Sequence, residues 1–203
     1  MLKSINKVVR TLIFYDLILL FGWGLITPIL AIFIVQTIKG GNTQVAGTAI
    51  GIYWLGKSLL QIPIANYLDR NHGEKDDYYF LIGGTFLASL VPFGFIFATL
   101  PFHMYLLELI HAVGMACAIP AWGGIFVRHI DKGKEAQSWA LDSSALGIGT
   151  GIAGIVGGIF ANIFGFNLLF VGVGLFGIIA VLLCLLIKKD LLSKGKAILI
   201  PKP

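Results

Sequence analysis

Charge is what this sequence has least of. Asp, Glu, Lys and Arg make up 12% of its 203 residues, against about 25% in a soluble domain. With 57% hydrophobic residues and a mean hydropathy of +0.90, so few charges cannot coat the apolar surface in water. The bilayer must therefore be part of the solvent. Cysteine is also scarce: Cys117 and Cys184 both sit in apolar runs. This excludes a disulfide-stapled scaffold and suits small buried apolar residues. The chain is expected to carry no phosphate-cradling loop, and so no nucleotide-driven engine of its own. No glycine-flanked serine nucleophile appears, and His111 is the one deeply placed histidine. An intramembrane serine protease is thereby disfavoured, and no catalytic residue, metal or cofactor is expected. The first apolar run is too long for a cleavable leader and reads as a retained helix.

What is present is a succession of six apolar runs, at about residues 12–35, 45–68, 78–100, 104–127, 136–164 and 168–187. Each approaches the ~20 residues that span a hydrocarbon core. Basic residues mark one side of them. Lys3, Lys7 and Arg10 precede the first run, Arg70 and Lys75 follow the second, and Arg128, Lys132 and Lys134 follow the fourth. Lys188, Lys189, Lys194, Lys196 and Lys202 follow the sixth, and Lys39 alone lies opposite. Both termini are then cytoplasmic, and the net charge of +5 is explained without a nucleic-acid partner. The expected fold is an all-α membrane bundle of six transmembrane helices over residues 1–189, with a short cytoplasmic tail at 190–203. It is expected as a multi-pass protein of the cell membrane, with the lipid bilayer as its first partner.

Ionisable residues inside apolar runs cost free energy unless paired or wet. They are Asp16 in the first run, Lys57 in the second, Glu108 and His111 in the fourth, and Asp142 in the fifth. Taken as two triplets, the first run of each carries an acid, the second one charge, and the third none. That is the pattern of a 3+3 inverted repeat whose first two helices face a cavity and whose third faces lipid. Lys57 lies near mid-membrane, Glu108 and His111 in the outer half, and Asp16 and Asp142 nearer the cytoplasm. Glu108 and His111, three apart, share a helix face and suit a proton- or substrate-binding pair. The structural alternative is that Lys57 neutralises Asp16 or Glu108 to hold the bundle. Trp54, three residues before Lys57, can form an aromatic wall or a cation–π contact with it. In the fifth run, Gly147 and Gly151, and Gly154 and Gly158, have the spacing of a close helix-packing seam. Pro28, Pro63, Pro92 and Pro120 can bend their helices.

The break after the second run reads Ala65-Asn66-Tyr67-Leu68-Asp69-Arg70-Asn71-His72-Gly73-Glu74-Lys75. It resembles the signature loop of the major facilitator superfamily: Gly, three residues, Asp-Arg, one residue, Gly, then two basic residues. Asp69 and Arg70 match, and Lys75 stands for a basic position. Ala65 replaces the leading glycine, one extra residue precedes Gly73, and Glu74 stands where a base is expected. In the fourth run Gly114, Pro120, Ala121 and Trp122 are similar to the family's small-residue stretch, with His111 nearest to its usual arginine. The fifth-run glycines resemble the antiporter motif of drug exporters, but Gly154 replaces its proline, and drug efflux is not inferred. The resemblance covers about residues 8–188, one six-helix half of the usual two-half transporter. It implies a conformational latch at Asp69, Arg70, Gly73 and Lys75. It also implies a secondary transporter of an unidentified small solute, ion or proton coupled, working by alternating access. A second half would come from a homodimer or a separately encoded chain. The alternatives are a substrate-capture subunit of an ATP-driven importer and a non-transporting fragment or assembly partner.

Overall fold

A computed structural model describes residues 5–71 and 73–193. Among them every element is helical: α1 (Lys7–Ile26), α2 (Leu30–Thr37), α3 (Thr43–Asn71), α4 (Glu74–Phe95), α5 (Pro101–His129), α6 (Glu135–Leu185) and α7 (Lys188–Ser193). The tail expected over 190–203 lies outside the described residues from 194 onward; its first residues belong to α7.

Local chemistry sets the helix ends. The Asn6 side chain caps α1, accepting from the Val8 amide at 2.8 Å, as N-cap asparagines do. Pro28, which has no amide hydrogen, falls in the break between α1 and α2, so the first apolar run is two helices rather than one. Asn42 accepts from the Val45 amide at 2.9 Å at the start of α3. Pro101 opens α5, where a proline's fixed φ is an advantage. Acidic Glu74, Asp76 and Asp77 occupy the first turn of α4, and basic Arg128 and His129 the last turn of α5, each complementing the helix dipole. At 1.5 Å per residue, α6 would run about 76 Å, more than twice the ~30 Å of a hydrocarbon core. It is interrupted at Gly165, with φ 79° and ψ 170°, a conformation reserved for glycine. This divides it between the fifth and sixth apolar runs.

The contacts show the chain reversing there. Along the first limb of α6, Gly149 faces Leu17 and Gly157 faces Leu25 of α1, so the two run in parallel. On the second limb, Phe170 meets Phe33 and Phe176 lies against Gly22, so the chain returns. Gly84 and Gly114 bring α4 and α5 together, each facing the other's backbone. The second limb of α6 packs on α4 through Gly177 on Ser89 and Gly174 on Phe93. Those two elements, expected toward lipid, thus back onto one another while exposing Phe86, Leu90, Ile179 and Leu182. The packing seam of α6 uses other glycines than its spacing suggested. Gly149 and Gly157 face α1, whereas Gly147, Gly151 and Gly158 meet nothing within 4 Å and Gly154 only the edge of Pro28.

Two ends can be distinguished. The Lys39 amide donates to the Thr99 carbonyl at 3.0 Å, joining the 38–42 and 96–100 turns, and Phe33 against Phe166 brings the Gly165 turn nearby. At the other end the Asn6 amide donates to Asp131 at 2.9 Å and Lys7 pairs with Asp190 at 2.7 Å. A buried bond between Tyr15 and Thr85, 2.6 Å, ties α1 to α4 between them. Four helical stretches are long and apolar enough to cross a membrane by length and composition: Lys7–Thr37, Glu74–Phe95, Pro101–His129 and Glu135–Leu185. Cys117 and Cys184 are both free.

Candidate functional site

The ionisable residues inside the bundle separate into two groups. The larger is a column of side chains contributed by α1, α3 and α5. At its centre, His111 of α5 is 6% exposed and held on both faces. The Trp23 indole of α1 stacks on it with centroids 3.7 Å apart and planes 6° apart. The Tyr53 ring of α3 stacks on the other side at 4.2 Å and 22°. Its Nδ1 lies 3.3 Å from a carboxylate oxygen of Glu108, itself 3% exposed. The column continues with Lys57, whose ammonium stands 5.3 Å from the centroid of Tyr53 and 3.8 Å from that of Trp54.

Helical spacing explains the arrangement. Tyr53 and Lys57 are four apart and share a face of α3, as Glu108 and His111, three apart, do on α5. Gly56 lets α3 approach α5: a Cβ there would already lie 3.3 Å from Ala112. Counted from Pro101, His111 is about 15 Å into its helix, and Lys57 about 21 Å into α3. Both therefore lie more than two turns from either end of their helices.

The electrostatics of the column are unbalanced. Lys57 is 8% exposed, and among the described residues no carboxylate oxygen lies within 4.0 Å of its ammonium. Glu108, the acid of the column, is engaged by His111. Two aromatic faces supply about 0.5–2 kcal/mol each, which offsets part of the cost of an ammonium within a bilayer without neutralising its charge. The neutralising partnership of Lys57 with Asp16 or Glu108 is not formed. Trp54, which covers the ammonium, is itself 55% exposed, so this end of the column opens outward.

Asp16 and Asp142 stand apart from the column, toward the end where Asn6 meets Asp131. Asp142 is 4% exposed, and its Oδ1 and the Ser138 hydroxyl have no partner among the described residues. A hollow of about 190 Å³ between α1 and α6, lined by Phe21, Leu25, Phe160 and Phe176, is apolar and touches none of the candidate ionisable residues.

In the loop between α3 and α4, Asp69, Arg70 and Lys75 are exposed and form no ion pair among the described residues; Gly73 is the residue before α4, in extended conformation. The ion pairs at that end belong to neighbours. Arg128 pairs with Asp77 and lies 3.7 Å from Glu74, and His129 lies 3.4 Å from the same Glu74 oxygen. Sequence reasoning named Arg128 only as a basic marker and Glu74 only as a departure from the loop motif, and passed over Asp77 and His129, although acids opening one helix and bases closing the next were visible. It also passed over Tyr53, whose signal was its place one turn before Lys57.

The Major Facilitator Superfamily model matches residues 12–199. The chain belongs to this superfamily. The chain is accordingly a multi-pass membrane protein. It is 26% identical over 176 residues to an uncharacterized MFS-type transporter of Methanocaldococcus jannaschii, covering 86% of this chain and 44% of that protein. It is 25% identical over 152 residues to the proton-coupled antiporter flippase LtaA of Staphylococcus saprophyticus, covering 74% of this chain and 38% of the flippase. The same-named protein of Staphylococcus epidermidis is 26% identical over 161 residues, 78% of this chain and 40% of its own. The chain thus spans less than half the length of these major facilitator relatives.

Proposed function

We propose that this protein is one six-helix half of a secondary active transporter, coupled to protons through the Glu108–His111 pair. The observation that carries this reading is the convergence of three helices on His111. Trp23 of α1 and Tyr53 of α3 fix the ring by stacking, and Glu108 of α5 holds its Nδ1. A titratable pair clamped between helices is suited to convert proton binding into helix movement, because protonation changes contacts on every element it touches. The proton coupling named for the staphylococcal flippases supports the same reading.

The alternation of segments between two ends supports a reading of six crossings: α1 with α2, α3, α4, α5 and the two limbs of α6. α1 and α5 each pack on two of the remaining four, as the central helices of a 3+3 inverted repeat do. The end bearing Arg10, Arg70, Arg128, Lys132 and Lys188 is cytoplasmic by its basic excess, in the cell membrane. Residues 1–189 form the transmembrane domain and 190–203 its tail. Exposed Asp69, Arg70 and Lys75 are free to pair in an alternate conformation as a latch, with Gly73 at the hinge before α4. Asp16 and Asp142 form a second, cytoplasmic-side station for protons.

A single half cannot enclose a cavity, so a second six-helix half completes it, and a second copy of this chain is one source of that half. Native mass spectrometry of the chain released from nanodiscs tests this. A dimer, or a stable pair with another six-helix chain, is expected. A strict monomer would overturn the two-half reading and favour a subunit of another kind of complex.

A further inference from the structure

We infer that Lys57 anchors an anion-binding subsite, and that the solute handled by this protein carries an oxyanion, a carboxylate or a phosphate group. The inference rests on the transporter reading and names the charge of what that transporter carries. Four features meet at Lys57. As a residue it is 8% exposed. No carboxylate oxygen reaches its ammonium among the described residues, and Glu108 is already bonded to His111 at 3.3 Å. Its charge rests only on the faces of Trp54 at 3.8 Å and Tyr53 at 5.3 Å. And Trp54, the side chain that covers it, is more than half exposed, so an approaching group meets the ammonium without breaking a salt bridge.

Charge selects among solutes. A cation would meet an uncompensated ammonium with no free acid beside it. A neutral solute would leave that ammonium desolvated and unpaired. An oxyanion supplies the missing charge, and its hydrogen-bond acceptors match the three donors of an ammonium. Proton and anion then assist one another. Each proton taken up by the column raises its net charge by one, and one bound monoanion offsets that gain. The groups facing this exchange are Trp23 on α1, Tyr53, Trp54 and Lys57 on α3, and Glu108 and His111 on α5. By reciprocity, an anion that binds better to the protonated column must raise the column's affinity for the proton.

The oxyanion can be a water-soluble solute or a lipid headgroup, and the test separates the two. The purified full-length chain in phosphatidylcholine nanodiscs is titrated with inorganic phosphate and with succinate at constant ionic strength, with tryptophan fluorescence as the reading, since Trp54 touches the ammonium. In a second arm, phosphatidylglycerol replaces phosphatidylcholine stepwise. A saturable response is expected in at least one arm, weakened by at least about tenfold in Lys57→Met, as loss of a charged hydrogen-bond donor implies, and retained within about threefold in Lys57→Arg. A response to soluble anions alone assigns an aqueous solute; a response to phosphatidylglycerol alone assigns a headgroup. Folding of each variant is checked by its thermal unfolding midpoint, and Lys57→Arg keeps the charge should Lys57→Met fail to assemble. An absent response in both arms, or an undiminished one in Lys57→Met, overturns the subsite. If native mass spectrometry shows the paired assembly meanwhile, the transporter reading stands without it; a strict monomer removes that reading instead.

Discussion

The two ends of α5 handle charge in opposite ways. At its C-terminal end, Arg128 and His129 meet Glu74 and Asp77 of α4, so that each base has an acid. Nearer its N-terminal end, Glu108 and His111 pair with each other and leave Lys57 of α3 to rest on aromatic rings. The ion-pair belt is built like any structural network, with exposed charges at its edge and helix dipoles in support. The column inside the bundle keeps a cation unpaired where that is most expensive. A fold that needed only stability would place an acid beside Lys57 or an apolar residue in its position. On the proposed function, the difference between the regions favours the column as the one that serves transport.

The comparison can be broken by removing one base from each region. Arg128→Met strands Asp77, whose side chain is 3% exposed. It is expected to lower stability by about 2–3 kcal/mol, less than the ~3–5 kcal/mol of a fully buried pair, because Arg128 itself is 41% exposed. Unfolding in a mixed-micelle denaturant titration reads this directly. Lys57→Met should act in the opposite sense. It gives up cation–π contacts but removes a desolvated charge, so stability should hold or rise by about 1 kcal/mol. A loss as large as that of Arg128→Met would show that Lys57 is part of a structural network, and the contrast would collapse.

A third measurement sharpens the picture of the column. Because Trp23 stacks on His111 at 3.7 Å, protonating the imidazole places a cation on the indole face. Tryptophan fluorescence should therefore fall as the pH is lowered through the titration of His111. The pH dependence should vanish in both His111→Gln and Trp23→Phe. The stability cost of Trp23→Phe should stay near 1 kcal/mol, the scale of one aromatic stacking contact. A pH profile unchanged in His111→Gln would mean that another group titrates, and Glu108–His111 would lose its place as the proton site.

How much of this was legible beforehand follows from what each feature depends on. The apolar runs are a property of composition along the chain, so the helices could be placed. The α4–α5 break at 96–100 and the division of α6 near Gly165 both fell between runs. The α1–α2 break did not, because Pro28 interrupts a helix without interrupting hydrophobicity. The seam glycines were misassigned because four-residue spacing is shared by several faces of α6, and only the position of α1 selects Gly149 and Gly157. Lys57, Glu108, His111 and Trp54 stood out as exceptions to the apolar rule or as neighbours of one, and the fold brings them to one column. The stacking of Trp23 and Tyr53 on His111 was not legible, since it joins residues on three helices whose rotation about their axes is a tertiary outcome.

The smallest expected effect tests the ion-pair belt from its outer edge. Lys7 and Asp190 form an ion pair as short as 2.7 Å, yet their side chains are 58% and 37% exposed. Water solvates both charges whether or not they meet, and holding two flexible side chains together costs entropy. Lys7→Ala is therefore expected to change stability by no more than about 0.5 kcal/mol, in the same denaturant titration that reads Arg128→Met. The two substitutions remove the same kind of charge from the same end of the bundle and differ in the burial of the acid left behind. A loss at Lys7 comparable to that at Arg128 would mean that docking of α7 onto α1, rather than desolvation of Asp77, holds this end together. The belt would then have to be read as a tether for the C-terminal helix, and its contrast with the Lys57 column would rest on topology instead of charge.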